Sequence, residues 1–145
     1  MAGNPPYAYG RRGVIEPSGK AYSHDLMAED VMPTLCELAG TTAPADIDGL
    51  SIAPTLLGRP GQRLHEYLYW EYHSAGGAQA VRFGDWKAIR NNVRKAPGGT
   101  PELFHLATDP SEKTNLAGQR PELAAKAAAT MKAAHSPSWE PKWNF

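Results

Sequence analysis

Two alternating segments joined by Gly84-Asp85 constrain this chain more than any other feature. Gln79-Ala80-Val81-Arg82-Phe83 and Trp86-Lys87-Ala88-Ile89-Arg90 carry strand-forming residues. A two-residue connection containing glycine is the tight-turn signal of an antiparallel hairpin. Side chains alternate along a strand, so Trp86, Ala88 and Arg90 share one face and Lys87 and Ile89 the other. The aromatic-rich run His65–Tyr72 predicts a strand before the hairpin. It places Leu68, Trp70 and Tyr72 on one face and Tyr67 and Tyr69 on the other. Glu102-Leu103-Phe104-His105-Leu106 predicts a fourth strand.

Pro121 opens a last helix at the first helical position, where a missing N–H costs little, and Glu122 sits beside the positive helix end. Leu123, Ala127, Met131 and Ala134 recur at helical spacing, and Ser136-Pro137 ends the run. Upstream, Asp30 is expected to cap a short helix at about 31–39, with its carboxylate accepting from exposed backbone N–H groups. Pro33 falls in the first turn, and Gly40 suits a left-handed C-terminal cap. Residues 41–63 read as an irregular linker with a turn at Asp48-Gly49 and a helical turn, capped by Ser51, through Leu57. The expected fold class is α+β: a small antiparallel sheet of about four strands with a C-terminal helix, preceded by a short helix and an irregular linker.

Composition removes several functions. The 145 residues carry equal numbers of basic and acidic side chains, which argues against a dedicated nucleic-acid partner. Arg90, Arg94 and Lys95 near Trp86 read as a solvated loop, within a mobile segment at 91–100. No apolar run approaches the length of a membrane span, so no membrane partner is expected. The first residues, Met1-Ala2-Gly3-Asn4-Pro5-Pro6, lack the blocks of a signal peptide. Cys36 is the single cysteine, which excludes an intrachain disulfide framework and reads as a core thiol. No internal repeat is present.

Three ordered stretches then narrow the reading. The first runs from Asp30 to Gly40, followed by Asp48-Gly49-Leu50-Ser51 and Leu56-Leu57-Gly58. The second is Ala80-Val81-Arg82-Phe83-Gly84-Asp85-Trp86-Lys87. The third is Glu102–Leu106, then Asp109-Pro110-Ser111-Glu112 and Asn115-Leu116, where Asp109-Pro110 sets a turn and Glu112 and Asn115 bond its backbone. In this order they resemble the C-terminal part of a sulfatase of the arylsulfatase type. The resemblance divides the chain into an unassigned segment at 1–22, a helix and linker at 23–63 resembling the end of a sulfatase main domain, and a C-terminal subdomain at 64–145.

The resemblance implies hydrolysis of sulfate esters by a formylglycine made from a C-x-P-x-R type motif, with a calcium ion held by carboxylates and an amide. A metal and cations would stabilise the charge on the leaving oxygen. Cys36 is followed by Glu37-Leu38-Ala39-Gly40, without the Pro and Arg of that motif. Asp46 and Asp48 have a turn-like setting, and a hard cation needs about six oxygens. No catalytic residue, metal ligand or cofactor is therefore expected in this chain, and calcium is expected in the complete parent enzyme. The chain reads as the end portion of a larger enzyme, inactive alone.

Its partner is expected to be a missing N-terminal catalytic domain, or another copy meeting it through an exposed apolar face. The site expectation falls on the loop after the aromatic strand. His73 and Gln79 flank Ser74-Ala75-Gly76-Gly77 and are expected to contact substrate, because loops held by a rigid sheet often carry binding groups. His24-Asp25, His65, His105 and His135 read as structural or solvated. Two alternatives remain: a stand-alone carbohydrate-binding module using Tyr67, Tyr69, Trp86, Trp139 or Trp143 as stacking platforms, and a subunit that complements a separate catalytic chain. The aromatic tail Trp139, Trp143 and Phe145 is expected to lie across a surface.

Overall fold

A computed structural model describes residues 27–141 and Asn144. The chain divides into two compact units, Met1–His65 and Glu66–Phe145. The 1–22 segment, His24-Asp25, Trp143 and Phe145 lie outside the described residues.

In the first unit a 3-10 turn, Ala28–Asp30, runs into helix α1, Val31–Ala39, and a short helix α2 follows at Ala53–Leu56. Gly40 ends α1 in the left-handed conformation, φ 73°, and its N–H and that of Thr41 donate to the carbonyls of Glu37 and Cys36. That is the double closure expected where a residue without a Cβ follows a helix. Asp30 stands at the N-cap position but does not cap α1. Its backbone is helical there, and its carboxylate turns inward to other donors. Ser51 Oγ accepts from the Ala53 N–H at 3.1 Å, but it stands one residue before the cap of α2, a place taken by Ile52, which makes no side-chain cap bond. Cys36 is half-buried rather than a core thiol, since α1 leaves Val31, Met32 and Leu35 exposed as well.

The second unit is a four-stranded antiparallel sheet in sequential order with one helix on it. The strands are β1 (Leu68–Tyr72), β2 (Ala78–Phe83), β3 (Trp86–Asn91) and β4 (Glu102–His105), and the helix is α3 (Pro121–Ala134). Strand β1 begins at Leu68 rather than His65. His65 belongs to the first unit and is bonded there. The Gly84-Asp85 connection forms the hairpin, with Phe83 opposite Trp86 and Gly84 at φ 56°, a conformation that glycine reaches without a Cβ clash.

Registration puts Val81 beside Ala88 and Ala88 beside Leu103. These three join Phe83, Ala127 and Met131 in the core, against which Tyr69, Trp86 and Leu123 also pack. Ala127 and Met131 of α3 are buried as the helical spacing predicts, Ala124 joins them, and Leu123 and Ala134 are only partly buried. Each large apolar side chain buried there contributes about 1.5–3 kcal/mol.

The segment after β4 is held by its own side chains. Asp109 Oδ2 accepts from the N–H groups of Lys113 and Thr114, and Asn115 Oδ1 accepts from Leu103 and Ala117. Glu112 instead pairs with Lys87 Nζ at 2.6 Å. Trp139 is 87% exposed, so it does not lie across a surface as expected.

Candidate functional site

The open end of the β2–β3 hairpin gathers the polar residues of the second unit. Pairing places Glu71 opposite Gln79 and Gln79 opposite Arg90, so three strands present one polar row on the face that carries the core. Tyr69 lies one pair further along the same face of β1.

The row is a connected hydrogen-bond network. The Tyr69 hydroxyl donates to Glu71 Oε1 and accepts from Gln79 Nε2 at 2.8 Å. Gln79 Oε1 accepts from Arg90 Nη1 at 3.1 Å. Arg90 Nε donates to the carbonyl of Gly99 at 2.6 Å, and Nη1 also donates to Pro97 at 3.0 Å. At the other end, His135, just beyond α3, brings Nδ1 to 2.6 Å from Glu71 Oε1. His73 Nε2 lies 3.5 Å from Glu71 Oε2. Glu71 thus links β1, the following loop and the end of α3.

Burial sets the protonation states. Tyr69 is pushed well above the ordinary tyrosine value of 10.0, first by burial and then by its bond to the Glu71 carboxylate and that group's charge. The bond from Gln79 and the Arg90 charge oppose this. Tyr69 is therefore a neutral donor at any physiological pH. Burial lowers the Arg90 guanidinium from its ordinary value, and the Tyr69 phenol opposes that.

The two loops at this end are tied together. Val93 and Arg94 donate their backbone N–H groups to the carbonyls of Gly77 and Gly76, both at 3.1 Å. Gly76 takes φ 92°, a conformation that favours glycine, and a Cβ there would sit 2.9 Å from Asn92 Oδ1. Val93 is buried beneath. The segment expected to be mobile at 91–100 is in fact anchored by these bonds and by Arg90. Arg90 itself is buried in β3 and is not part of a solvated loop.

The two residues expected to contact substrate have different settings. His73 stands in the loop with its ring beside Glu71. Gln79 is buried, with both ends of its amide engaged by Tyr69 and Arg90. Sequence reasoning missed His135, which lies 64 positions from Glu71 and carries no local signal of the pairing. It also missed Arg90, whose position on the inward face of β3 was the available clue. His105 meets Trp86 edge-on at 4.6 Å and bonds Thr108, a structural setting.

The first unit has its own polar centre. Asp30, 1% exposed, accepts from Met27 N, Leu50 N and His65 Nε2 at 2.8–2.9 Å. Among the described residues no three His, Cys, Asp or Glu side chains gather as a cation site. The described residues therefore do not fit the calcium that the resemblance implies. Among them, too, no helix is long and apolar enough to cross a membrane.

Comparison with known proteins gives this geometry a family. The sequence matches the family model described as N-sulphoglucosamine sulphohydrolase, C-terminal, over residues 13–135. It is 34% identical over 121 residues to a Delta 4,5-hexuronate-2-O-sulfatase of Bacteroides thetaiotaomicron, covering 79% of this chain and 24% of that protein. It is 34% identical over 113 residues to arylsulfatase K of Xenopus laevis, covering 72% of this chain and 21% of that protein. A crystal structure of a putative sulfatase from Bacteroides thetaiotaomicron superposes with a TM-score of 0.70 at 27% identity, covering 90% of this chain and 32% of that one. The chain spans about a quarter of the length of the curated relatives it matches. With a family match over most of its length and a fold shared with solved sulfatases, this chain belongs to the sulfatase family and corresponds to its C-terminal domain.

Proposed function

We propose that this chain frames the substrate pocket of a sulfuric ester hydrolase and is inactive alone. Residues 23–63 would correspond to the end of the main domain and 64–145 to the C-terminal subdomain. The observation that carries the reading is the match to the C-terminal part of the family across residues 13–135. The formylglycine and the calcium would be supplied by the part of the relatives' length that this chain does not span. Hydrolysis of a sulfate ester builds charge on the leaving oxygen, and a metal and cations stabilise it.

In this reading His73 and Gln79 line the rim of the substrate pocket. His73 would meet the sugar or aryl part of the substrate from its loop, with Glu71 beside it. Gln79 would act from within the sheet, keeping Tyr69 and Arg90 in register beneath that loop. The names of the relatives include a hexuronate 2-O-sulfatase, which supports a sulfated sugar as the substrate class.

The reading makes two demands. The chain alone should show no turnover of an aryl sulfate, and measurable turnover by it would end the claim of inactivity. In the complete enzyme, His73→Ala should raise KM about tenfold with a smaller change in kcat, as expected for lost substrate binding. Unchanged KM and kcat would remove His73 from the rim.

A further inference from the structure

Arg90 is a buried cation whose hydrogen bonds all go to neutral acceptors. It is 9% exposed, and its acceptors are the Gln79 amide and the carbonyls of Pro97 and Gly99. A guanidinium stays charged in a protein and costs much to bury unless an anion compensates it. Its Nη2 takes part in none of these bonds. Arg90 opens into a cleft of about 410 Å³ between α3 and the 97–98 turn, lined also by Lys132 and His135.

Among the described residues no Asp or Glu lines this cleft. The Glu71 carboxylate is engaged by Tyr69 and His135 and is not among the lining residues. Lys132 has no carboxylate or other hydrogen-bond partner among the described residues. Ala128, Ala129 and Gly98 keep the cleft open, because none has a side chain long enough to fill it.

We propose that this cleft binds a sulfate group, either as free inorganic sulfate or as a substituent on a sugar. Arg90 Nη2 and Lys132 Nζ supply charge-assisted donors, the strong class of hydrogen bond to an oxyanion. The carbonyl end of α3 is weakly negative and opposes an anion. Two cations without carboxylate partners outweigh it, one of them largely buried. The anion in turn compensates a charge that the fold leaves uncompensated. The choice of sulfate over other oxyanions rests on the proposed sulfatase reading. The binding geometry does not depend on it.

The test is a direct titration of the 145-residue chain by 1H–15N NMR, so no turnover is needed. Sodium sulfate, glucose 6-sulfate, glucose and sodium phosphate are added against a sodium chloride control of matched ionic strength. Saturable shifts of the amides at 98–99 and 128–135 are expected with a sulfated probe. Lys132→Gln, at an outward-facing helical position, should weaken binding about fivefold, and Ala128→Glu should abolish it. Saturation by sulfate and glucose 6-sulfate alike assigns the free anion. Saturation by glucose 6-sulfate alone assigns the sugar substituent. No saturation by either, equal affinity in Lys132→Gln, or saturation by phosphate alone overturns the proposal. A sulfatase assay that fails while the sulfate titration saturates would count against the proposed function and leave this site standing.

Discussion

At the scale of single residues, two buried polar side chains organise the two units. Asp30 satisfies two backbone N–H groups and the His65 ring from a position almost without solvent contact. Removing it strands three donors at once, and each unsatisfied buried group costs about 1–3 kcal/mol. Asp30→Ala should therefore destabilise the first unit by about 3 kcal/mol or more, and Asp30→Asn by less, as read from urea unfolding. Equal stability of Asp30→Ala and wild type would show that these bonds do not hold the linker. Tyr69 makes a different prediction. Its folded pKa is raised, so its contribution is complete below the unfolded value of 10.0 and is lost as pH rises above it. The stability of the wild type should fall above pH 10.0 more steeply than that of Tyr69→Phe. Parallel pH profiles would show that the Tyr69 hydroxyl is not coupled to folding.

At the scale of elements, helix α3 does two jobs with two faces. Its inner face closes the sheet through Ala127 and Met131, both with no exposure. Met131→Ala should cost about 2–5 kcal/mol by transfer and cavity terms, whereas Lys132→Gln should change stability by no more than about 0.5 kcal/mol. Thermal unfolding of the pair separates the faces, and similar losses would contradict the packing. The linker has a comparable contact. A Cβ on Gly49 would come 2.1 Å from the carbonyl oxygen of Glu29, closer than any real contact. Gly49→Ala should force the two segments apart and cost at least about 1 kcal/mol, with no loss expected only if the linker were not seated on the 3-10 turn.

At the scale of the whole molecule, the apolar surface is uneven. Val31, Met32 and Leu35 on α1 are 46–60% exposed, as are Tyr72 and, slightly less, Trp70 on β1. Under the proposed function the exposed side chains of each unit meet the remainder of the enzyme. In its absence the chain should self-associate with rising concentration, and Leu35→Glu should reduce that association in sedimentation velocity. A monomer at every concentration would argue that these side chains are ordinary exposed hydrophobics.

Sequence by itself determined the elements, because their signals are local. Alternation around Gly84-Asp85 dictates the hairpin, and Gly40 and Pro121 mark the helix ends that the structure shows. The ordered motifs were also enough for the family. The tertiary structure alone decided the partners. A carboxylate at an apparent N-cap turned inward to His65, a histidine beyond α3 reached Glu71, and an arginine counted as solvated became a buried cation at a cleft. Spacing along a chain sets which face a side chain takes. Which distant donor or acceptor it meets depends on sheet register and helix placement, and these form only when the whole unit packs.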